Sequence, residues 1–334
     1  MQDSMELFKR SPDNQKSALK VDDKPDEQAM IGKAISDLKD VLKANPGNAE
    51  AHLNLGLLYY NKGMIDEAIT ECSEAVRLKP DFLKAHINLA NAFYNKGMLD
   101  RAVEEYQKAL ELSPGRWDLR YSLAGVYYQL GHIEEAVKGY REAIRLNPNN
   151  ADSHSVLAAI YYSKGMVLEA IVEYKEAIRI NPLFSEAHNN LGNIYFNRNM
   201  MNEAIREYLE VLRINPRHSD AQARLGMIYY RKGMMDDAIR SFRESIGIKN
   251  DDPEIHAKLG MALMRKNLLD QATSEFVEAL RFDPGNVDAL YNLGNVHARN
   301  GRVPEAIKSY QAAMALKPDY VRELLVRDTV QQQS

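Results

Sequence analysis

The chain has 334 residues, and its 43 Lys and Arg residues against 47 Asp and Glu residues leave a formal net charge of -4. This balance excludes a global attraction to nucleic acid or anionic lipid, so any charged site must be local. Cys72 is the single cysteine and cannot form an internal disulfide, and no apolar run is long enough to span a bilayer. We therefore expect a cytoplasmic protein without direct membrane insertion.

The N-terminal residues, 1–25, mix acidic and basic side chains and are expected to form a mobile segment. The apolar residues that follow recur at the spacing of one helix face, whereas Asp22, Asp23 and Pro25 would interrupt a helix placed before them. We predict a lone N-terminal capping helix over residues 26–47. Its apolar face consists of Ile31, Ala34, Ile35, Leu38, Val41 and Leu42.

Residues 49–320 repeat with a period of 34 residues, and a proline marks nearly every boundary between repeats. The sixth repeat has Asn250 in place of the proline. A fixed period of this length indicates units that pack only on their neighbours, which favours an extended binding surface over a single catalytic pocket. The prolines are Pro46, Pro80, Pro114, Pro148, Pro182, Pro216, Pro284 and Pro318.

Every repeat has the same arrangement of residue types when its positions are counted from Ala49, which places the proline at position 32. Position 7 is always Leu, position 8 is Gly or Ala, position 20 is Ala, and positions 11 and 24 are mostly aromatic. Positions 4, 7, 8 and 11 form one apolar helix face, and positions 17, 20, 21, 24, 27 and 28 form another. Gly or Asn at position 15 suits a left-handed helix end, and the proline stops the second helix. Each repeat is therefore predicted to be a helix, a turn and a second helix.

This pattern resembles the tetratricopeptide repeat (TPR), which has Leu-Gly at positions 7 and 8, Tyr at 11, Ala at 20 and 27, an aromatic residue at 24 and Pro at 32. The resemblance covers eight repeats in phase over residues 49–320. It implies an all-α fold, a right-handed α-solenoid or superhelix of helix-turn-helix units. In that fold the first helices line a concave groove and the second helices lie outside. After the repeats, residues 321–334 are predicted to form a short C-terminal capping helix and a polar tail.

The predicted groove is lined by positions 2, 5, 6, 9, 12 and 13, which lie opposite the apolar face of the first helix. Position 12 is aromatic in six successive repeats, and these rings either pack half-buried between helices or contact a ligand. The candidate tyrosines at position 12 are Tyr60, Tyr94, Tyr128, Tyr162 and Tyr230.

Asparagine recurs at positions 6 and 9 although it is a poor helix former. A side-chain amide can both donate to and accept from a peptide backbone, which suits the binding of extended chains. The asparagines at position 6 are also similar to the asparagine ladder in the TPR domain of O-GlcNAc transferases, and the alternative is inheritance from an ancestral repeat without a function. The candidates are Asn54, Asn88, Asn91, Asn190, Asn193, Asn292 and Asn295.

Cations gather toward the C-terminal end of the predicted groove, where we expect acidic peptide segments to bind over repeats six to eight. Alternatively, Asp220 and Glu254 neutralise Arg224 and Lys258 as pairs four residues apart on one helix. The cations are Arg224, Arg231, Lys258, Arg265 and Arg299.

No motif in the chain indicates catalysis or a cofactor, and a non-enzyme without cofactors is expected. Five repeats carry one histidine each, always at position 4, which indicates a structural role, since a metal needs its ligands to converge. Position 5 offers no lysine for the carboxylate clamp of chaperone-binding TPR domains. The histidines are His52, His86, His154, His188 and His256.

The predicted function is a non-catalytic scaffold that binds extended peptide segments of partner proteins in the groove. The alternative is a scaffold that assembles into homo-oligomers through the same surfaces. RNA binding is disfavoured by the acidic residues at position 2 and by the negative net charge.

Overall fold

The computed structural model describes residues 25–333, which form helices joined by short turns, and the prediction for residues 1–24 lies outside this range. The chain divides at Pro182 into two compact halves, Met1–Pro182 and Leu183–Ser334. The helices of repeats 1–4 belong to the N-terminal half, and those of repeats 5–8 belong to the C-terminal half. The helices of the N-terminal half are α1 (Pro25–Ala44), α2 (Ala49–Asn61), α3 (Ile65–Leu78), α4 (Leu83–Asn95), α5 (Leu99–Leu112), α6 (Trp117–Gln129), α7 (Ile133–Leu146), α8 (Ala151–Ser163) and α9 (Val167–Ile180). Those of the C-terminal half are α10 (Ser185–Asn197), α11 (Met201–Ile214), α12 (Ser219–Arg231), α13 (Met235–Ile248), α14 (Pro253–Arg265), α15 (Leu269–Phe282), α16 (Val287–Arg299), α17 (Val303–Leu316) and α18 (Pro318–Gln333).

The turn inside each repeat confirms the helix-turn-helix prediction. Gly63 has φ 74°, and Asn199, which replaces glycine in repeat 5, has φ 59°. In the first repeat, the Met64 amide donates to the Tyr59 carbonyl at 2.9 Å and the Gly63 amide donates to the Tyr60 carbonyl at 2.9 Å. These two bonds satisfy carbonyls that the end of α2 would otherwise leave without partners.

Small residues allow the two helices of each repeat to approach closely. The alanine at position 20 is at most 4% exposed in all eight repeats. A Cβ placed on Gly226, at position 8, would lie 2.6 Å from the ring of Phe242, so the ring fills the space that the glycine leaves. The core of each half thus consists of aromatic and leucine side chains packed on alanine and glycine.

Half-repeats cover the outermost helices of the array. On α1, Ile35, Leu38 and Leu42 pack against the cluster that contains Leu55 and Tyr59. The last helix, α18, begins at Pro318, three residues before the predicted start, because proline is tolerated in the first turn of a helix. Its Val321 and Leu324 are buried against Tyr291 and Ala313. Burial of these apolar faces stabilises the terminal repeats.

Candidate functional site

The candidate residues lie on a surface that we call the first-helix surface, formed by positions 2, 6, 9, 12 and 13 of the first helices. The sequence also predicts position 5 in the groove, but that prediction is wrong, because the position-5 side chain is buried in seven of the eight repeats. In the N-terminal half it is carried by α2, α4, α6 and α8, and in the C-terminal half by α10, α12, α14 and α16. Each half is described separately. Of the position-12 tyrosines, Tyr162 is 38% exposed and the others are half-buried.

In the N-terminal half, the tyrosine at position 12 accepts a hydrogen bond from the amide at position 13 of the following repeat. The Tyr60 hydroxyl accepts from Nδ2 of Asn95, and the Tyr94 hydroxyl accepts from Nε2 of Gln129 at 2.6 Å. Burial raises the pKa of both tyrosines, so the hydroxyls stay protonated at neutral pH. The first helices of repeats 1, 2 and 3 are therefore joined by neutral polar groups.

In repeats 6 to 8 of the C-terminal half, arginine replaces the amide at position 13, and in repeats 6 and 7 the contact changes from a hydrogen bond to stacking. Cζ of Arg231 lies 4.6 Å from the centroid of the Phe196 ring, and Cζ of Arg265 lies 4.3 Å from that of Tyr230. Such cation–π contacts contribute about 0.5–1 kcal/mol at exposed sites. The guanidinium groups of Arg231 and Arg265 are thus exposed to solvent while aromatic rings of the preceding repeat fix their planes.

Arg299 continues this series with a different partner, because position 12 of repeat 7 is not aromatic. Its Nη1 lies 3.4 Å from the backbone carbonyl oxygen of Met264. The three position-13 arginines therefore all reach back to position 12 of the preceding repeat. These contacts span 35 residues and therefore leave no signal in the sequence of a single helix.

The remaining two cations are partly neutralised by carboxylates. Nε of Arg224 lies 3.5 Å from Asp220, the pair expected from the sequence, and Cζ of Arg224 lies 5.6 Å from the Phe196 centroid. Lys258, however, pairs with Asp288 of the next repeat at 3.6 Å, and not with Glu254 of its own helix as expected. Arg231 and Arg265 are therefore the strongest candidates for contacts with an anionic ligand.

The asparagines at position 9 connect the two helices of a repeat. In three repeats, the hydroxyl of the tyrosine at position 24 donates to the amide oxygen of the asparagine at position 9. The pairs are Tyr106–Asn91, Tyr208–Asn193 at 2.7 Å and Tyr310–Asn295 at 2.6 Å. This contact gives the position-9 asparagines a structural role, a reason for their recurrence that was not considered at the sequence level.

The asparagines at position 6 behave differently. Asn88 and Asn292 donate from Nδ2 to the carbonyl four residues earlier, at 2.7 and 2.8 Å. Asn292 is only 7% exposed, Asn190 is half-buried, and Asn54 is exposed. The position-6 asparagines therefore differ widely in their access to a ligand.

A cavity of about 260 Å³ opens on the first-helix surface between repeats 6 and 7. Ala223 at position 5 forms part of its wall, where other repeats carry Leu53, Tyr121 or Tyr291. The cavity is also lined by Arg224 and by Met227, so it combines a cation with apolar surface.

Sequence reasoning missed Asn95 and Gln129, the amides that bond to the tyrosines. The available signal was the position-13 column, which is polar in every repeat, carries an amide in repeats 1, 2, 3 and 5, and changes to arginine in repeats 6 to 8. That column is Asn61, Asn95, Gln129, Ser163, Asn197, Arg231, Arg265 and Arg299.

Residues 25–333 contain neither a candidate metal site nor a membrane-spanning helix. Between residues 25 and 333, no three His, Cys, Asp or Glu side chains form a group that could hold a metal ion. None of the helices in this range combines the length and hydropathy needed to cross a membrane.

Family models match most of the chain. A model described as TPR repeat matches residues 90–131, 125–165 and 159–199. Four models described as tetratricopeptide repeat match residues 27–83, 185–218, 219–252 and 257–321. No curated protein sequence matches the chain significantly.

Solved structures of TPR proteins resemble the chain in fold. YrrB, described as a TPR protein with an unusual peptide-binding site, is 24% identical, with a TM-score of 0.52 over 57% of this chain and 99% of its own. The C-terminal part of a TPR repeat-containing protein from Cytophaga hutchinsonii is 17% identical, with a TM-score of 0.59 over 70% of this chain and 95% of its own. PilF from Pseudomonas aeruginosa is 19% identical, with a TM-score of 0.52 over 60% of this chain and 92% of its own.

Proposed function

The chain belongs to the tetratricopeptide repeat family, and on that premise we propose that it is a non-catalytic scaffold whose first-helix surface binds extended peptide segments of partner proteins. The observation that supports this function best is the contact between positions 12 and 13 of successive repeats. It holds polar side chains in fixed orientations at the surface, which lowers the conformational entropy lost when a ligand binds.

The two halves are suited to different peptide segments. In the N-terminal half, the tyrosine–amide pairs Tyr60–Asn95 and Tyr94–Gln129 offer neutral hydrogen-bonding groups that match a peptide backbone. In the C-terminal half, Arg231 and Arg265 stack by their faces on aromatic rings, so the N–H groups at their edges are oriented to bind carboxylates. We expect the C-terminal half to prefer segments that contain Asp or Glu.

Three labelled peptide pools of equal length, one rich in Asp and Glu, one neutral and one rich in Lys, test this preference by fluorescence polarisation with the full chain. We expect the acidic pool to bind most tightly, and more weakly as salt rises. The double variant Arg231→Ala, Arg265→Ala should lose at least about tenfold in affinity for it, because hydrogen bonds to charged groups contribute about 1.5–3 kcal/mol each.

The matched control changes two arginines on second helices of the same half, Arg206→Ala and Arg240→Ala. Both are exposed, so the net charge changes equally while the first-helix surface stays intact. An equal loss of affinity in this control, or binding that does not respond to salt, would contradict the proposal.

Homo-oligomerisation is a second candidate, supported by an apolar pair on a second helix. Leu168 and Val172, one turn apart on α9, are 68% and 63% exposed. All seven other repeats carry a polar or charged residue at the position of Val172. Exposed apolar surface of this kind marks contacts with other proteins.

Light scattering over a range of concentrations separates a monomer from an oligomer. If α9 mediates self-association, the variant Leu168→Glu, Val172→Glu remains monomeric where the unmodified chain associates, since two carboxylates would be desolvated in the contact. Arg206→Ala, Arg240→Ala provides a control with other second-helix changes. A constant monomer mass for the unmodified chain would remove this candidate.

A further inference from the structure

Five repeats carry a histidine–glutamate pair that links their two helices. The histidine is at position 4 of the first helix and the glutamate at position 23 of the second, with Nδ1 to Oε2 distances of 2.6 or 2.7 Å. The pairs are His52–Glu71, His86–Glu105, His154–Glu173, His188–Glu207 and His256–Glu275.

The second ring nitrogen also faces an acceptor. In four of these repeats, Nε2 lies 2.9–3.1 Å from the backbone carbonyl of the residue at position 32 of the preceding 34-residue period. These residues are Pro46, Pro80, Pro148 and Asn250. A carbonyl oxygen and a carboxylate both accept hydrogen bonds, and a neutral imidazole has only one N–H. Only the protonated ring can donate to both partners.

The two positions vary together along the chain, which indicates that they act as a pair. In the three repeats without the histidine, position 4 is Arg120, Gln222 or Leu290, and position 23 is Gly139, Ser241 or Ser309. No repeat has the histidine without the glutamate or the glutamate without the histidine. Asn250 replaces proline but keeps the carbonyl contact to His256, so the backbone atom is what the contact requires.

Burial gives each pair a large influence on the packing of its repeat. The side chains of His86 and Glu105 are 3% and 5% exposed, and those of His154 and Glu173 are 8% and 23% exposed. A neutral ring keeps one N–H, so either the buried carboxylate or the turn carbonyl would face a lone pair and lack its donor. Loss of the proton therefore removes one of the two contacts, either the one between the helices or the one to the preceding turn.

We propose that the His154–Glu173 pair is a protonated clamp, so that repeat 4 opens more readily in alkaline than in mildly acidic solution. The clamp joins α8, α9 and the turn before repeat 4. The device would allow a rise in pH to loosen repeat 4 while repeat 3, which lacks the pair, keeps its packing.

The electrostatics of repeat 4 agree with this proposal. Burial lowers the pKa of His154, but the hydrogen bonds to Glu173 and to the Pro148 carbonyl, with the charges of Glu173 and Glu176, outweigh it and raise the pKa overall. Both carboxylates lie on α9, and Glu176 is also paired with Arg179 at 2.6 Å. Because the unfolded value is about 6.5, the clamp stabilises the repeat fully below that pH, and this stabilisation is lost as pH rises through the higher folded pKa.

Two measurements on the full chain test the clamp. An NMR titration of the His154 ring should show that it keeps its second proton above the pH at which a free imidazole, with a pKa of about 6.5, loses it. Hydrogen-exchange protection factors of α8 and α9, corrected for the intrinsic rates, should fall by up to tenfold per pH unit as the pH rises above about 6.5.

Variants separate the clamp from a merely structural contact. In Glu173→Gln, which keeps the size of the side chain, His154 should titrate at lower pH, and the pH dependence of protection should disappear in repeat 4. His132→Gln should behave like the unmodified chain. A His154 ring that titrates no higher than a free imidazole, or protection in repeat 4 that does not depend on pH, would overturn the proposal.

Discussion

Cys72 occupies position 24 of the first repeat, where the other repeats have an aromatic ring. Its side chain packs against Gly56: a Cβ placed on that glycine would lie 2.6 Å from Sγ of Cys72. Burial, with a smaller contribution from Glu71, raises the pKa of the thiol to about 12. Since the thiolate is the reactive form, this cysteine is expected to be inert in the folded chain.

The prediction is checked by alkylation. At pH 8 the folded chain should react with iodoacetamide far more slowly than a free thiol, because only a small fraction of Cys72 is ionised below its pKa of about 12. The chain unfolded in urea provides the control and should react at once. Rapid alkylation of the folded chain would show that the thiol is accessible.

Individual residues also show where sequence reasoning stops. The histidines at position 4 were correctly seen to occur at most once per repeat, but their partners at position 23 lie 19 residues away on another helix. A comparison of the two columns across repeats would have found the pair. The stacking of Arg231 on Phe196 and of Arg265 on Tyr230 left no comparable signal in the sequence. Such stacking depends on the distance between neighbouring helices, which the sequence does not specify.

At the scale of the helix, the periods of 3.6 and 34 residues were sufficient to predict the elements. The turns fall at position 15 because Gly or Asn there adopts a positive φ, and the second helices end before the proline. The start of α18 at Pro318 was not predicted, since earlier prolines of this column lie outside helices. Local sequence sets the ends of helices only where one residue type determines the backbone conformation.

Helix packing in repeat 3 provides a second prediction. Gly139 lies inside α7, where helix propensity alone would favour alanine by about 1 kcal/mol. A Cβ added there would lie 2.8 Å from Cβ of Ala124 on α6. We expect Gly139→Ala to lower the free energy of unfolding by about 1–3 kcal/mol, the usual effect of overpacking.

The same substitution should be tolerated once space is made for it. In an Ala124→Gly background, Gly139→Ala should be neutral or stabilising when unfolding is followed by urea titration. Gly247→Ala is the control, because a Cβ at Gly247 in α13 would meet no atom within 4 Å, and it should stabilise the chain by about 0.5–1 kcal/mol. If Gly139→Ala stabilised the original chain, the proposed steric conflict would be wrong.

At the scale of the whole chain, the two halves share one backbone pattern but differ in surface chemistry. The tyrosine–amide pairs of the N-terminal half and the arginine–aromatic stacks of the C-terminal half occupy the same two positions of the repeat. The fold therefore supplies a fixed framework, while positions 12 and 13 vary the groups presented to a ligand. Family membership establishes the framework, and the peptide segments that bind it are our proposal.

The central claim is that peptides bind to first helices, and a hydrogen-exchange footprint tests it most directly. Exchange of the full chain is compared with and without a saturating concentration of the peptide from the acidic pool that binds most tightly. The account predicts slower exchange in α12, α14 and α16 and unchanged exchange in α13 and α15. Slower exchange confined to the second helices would contradict it.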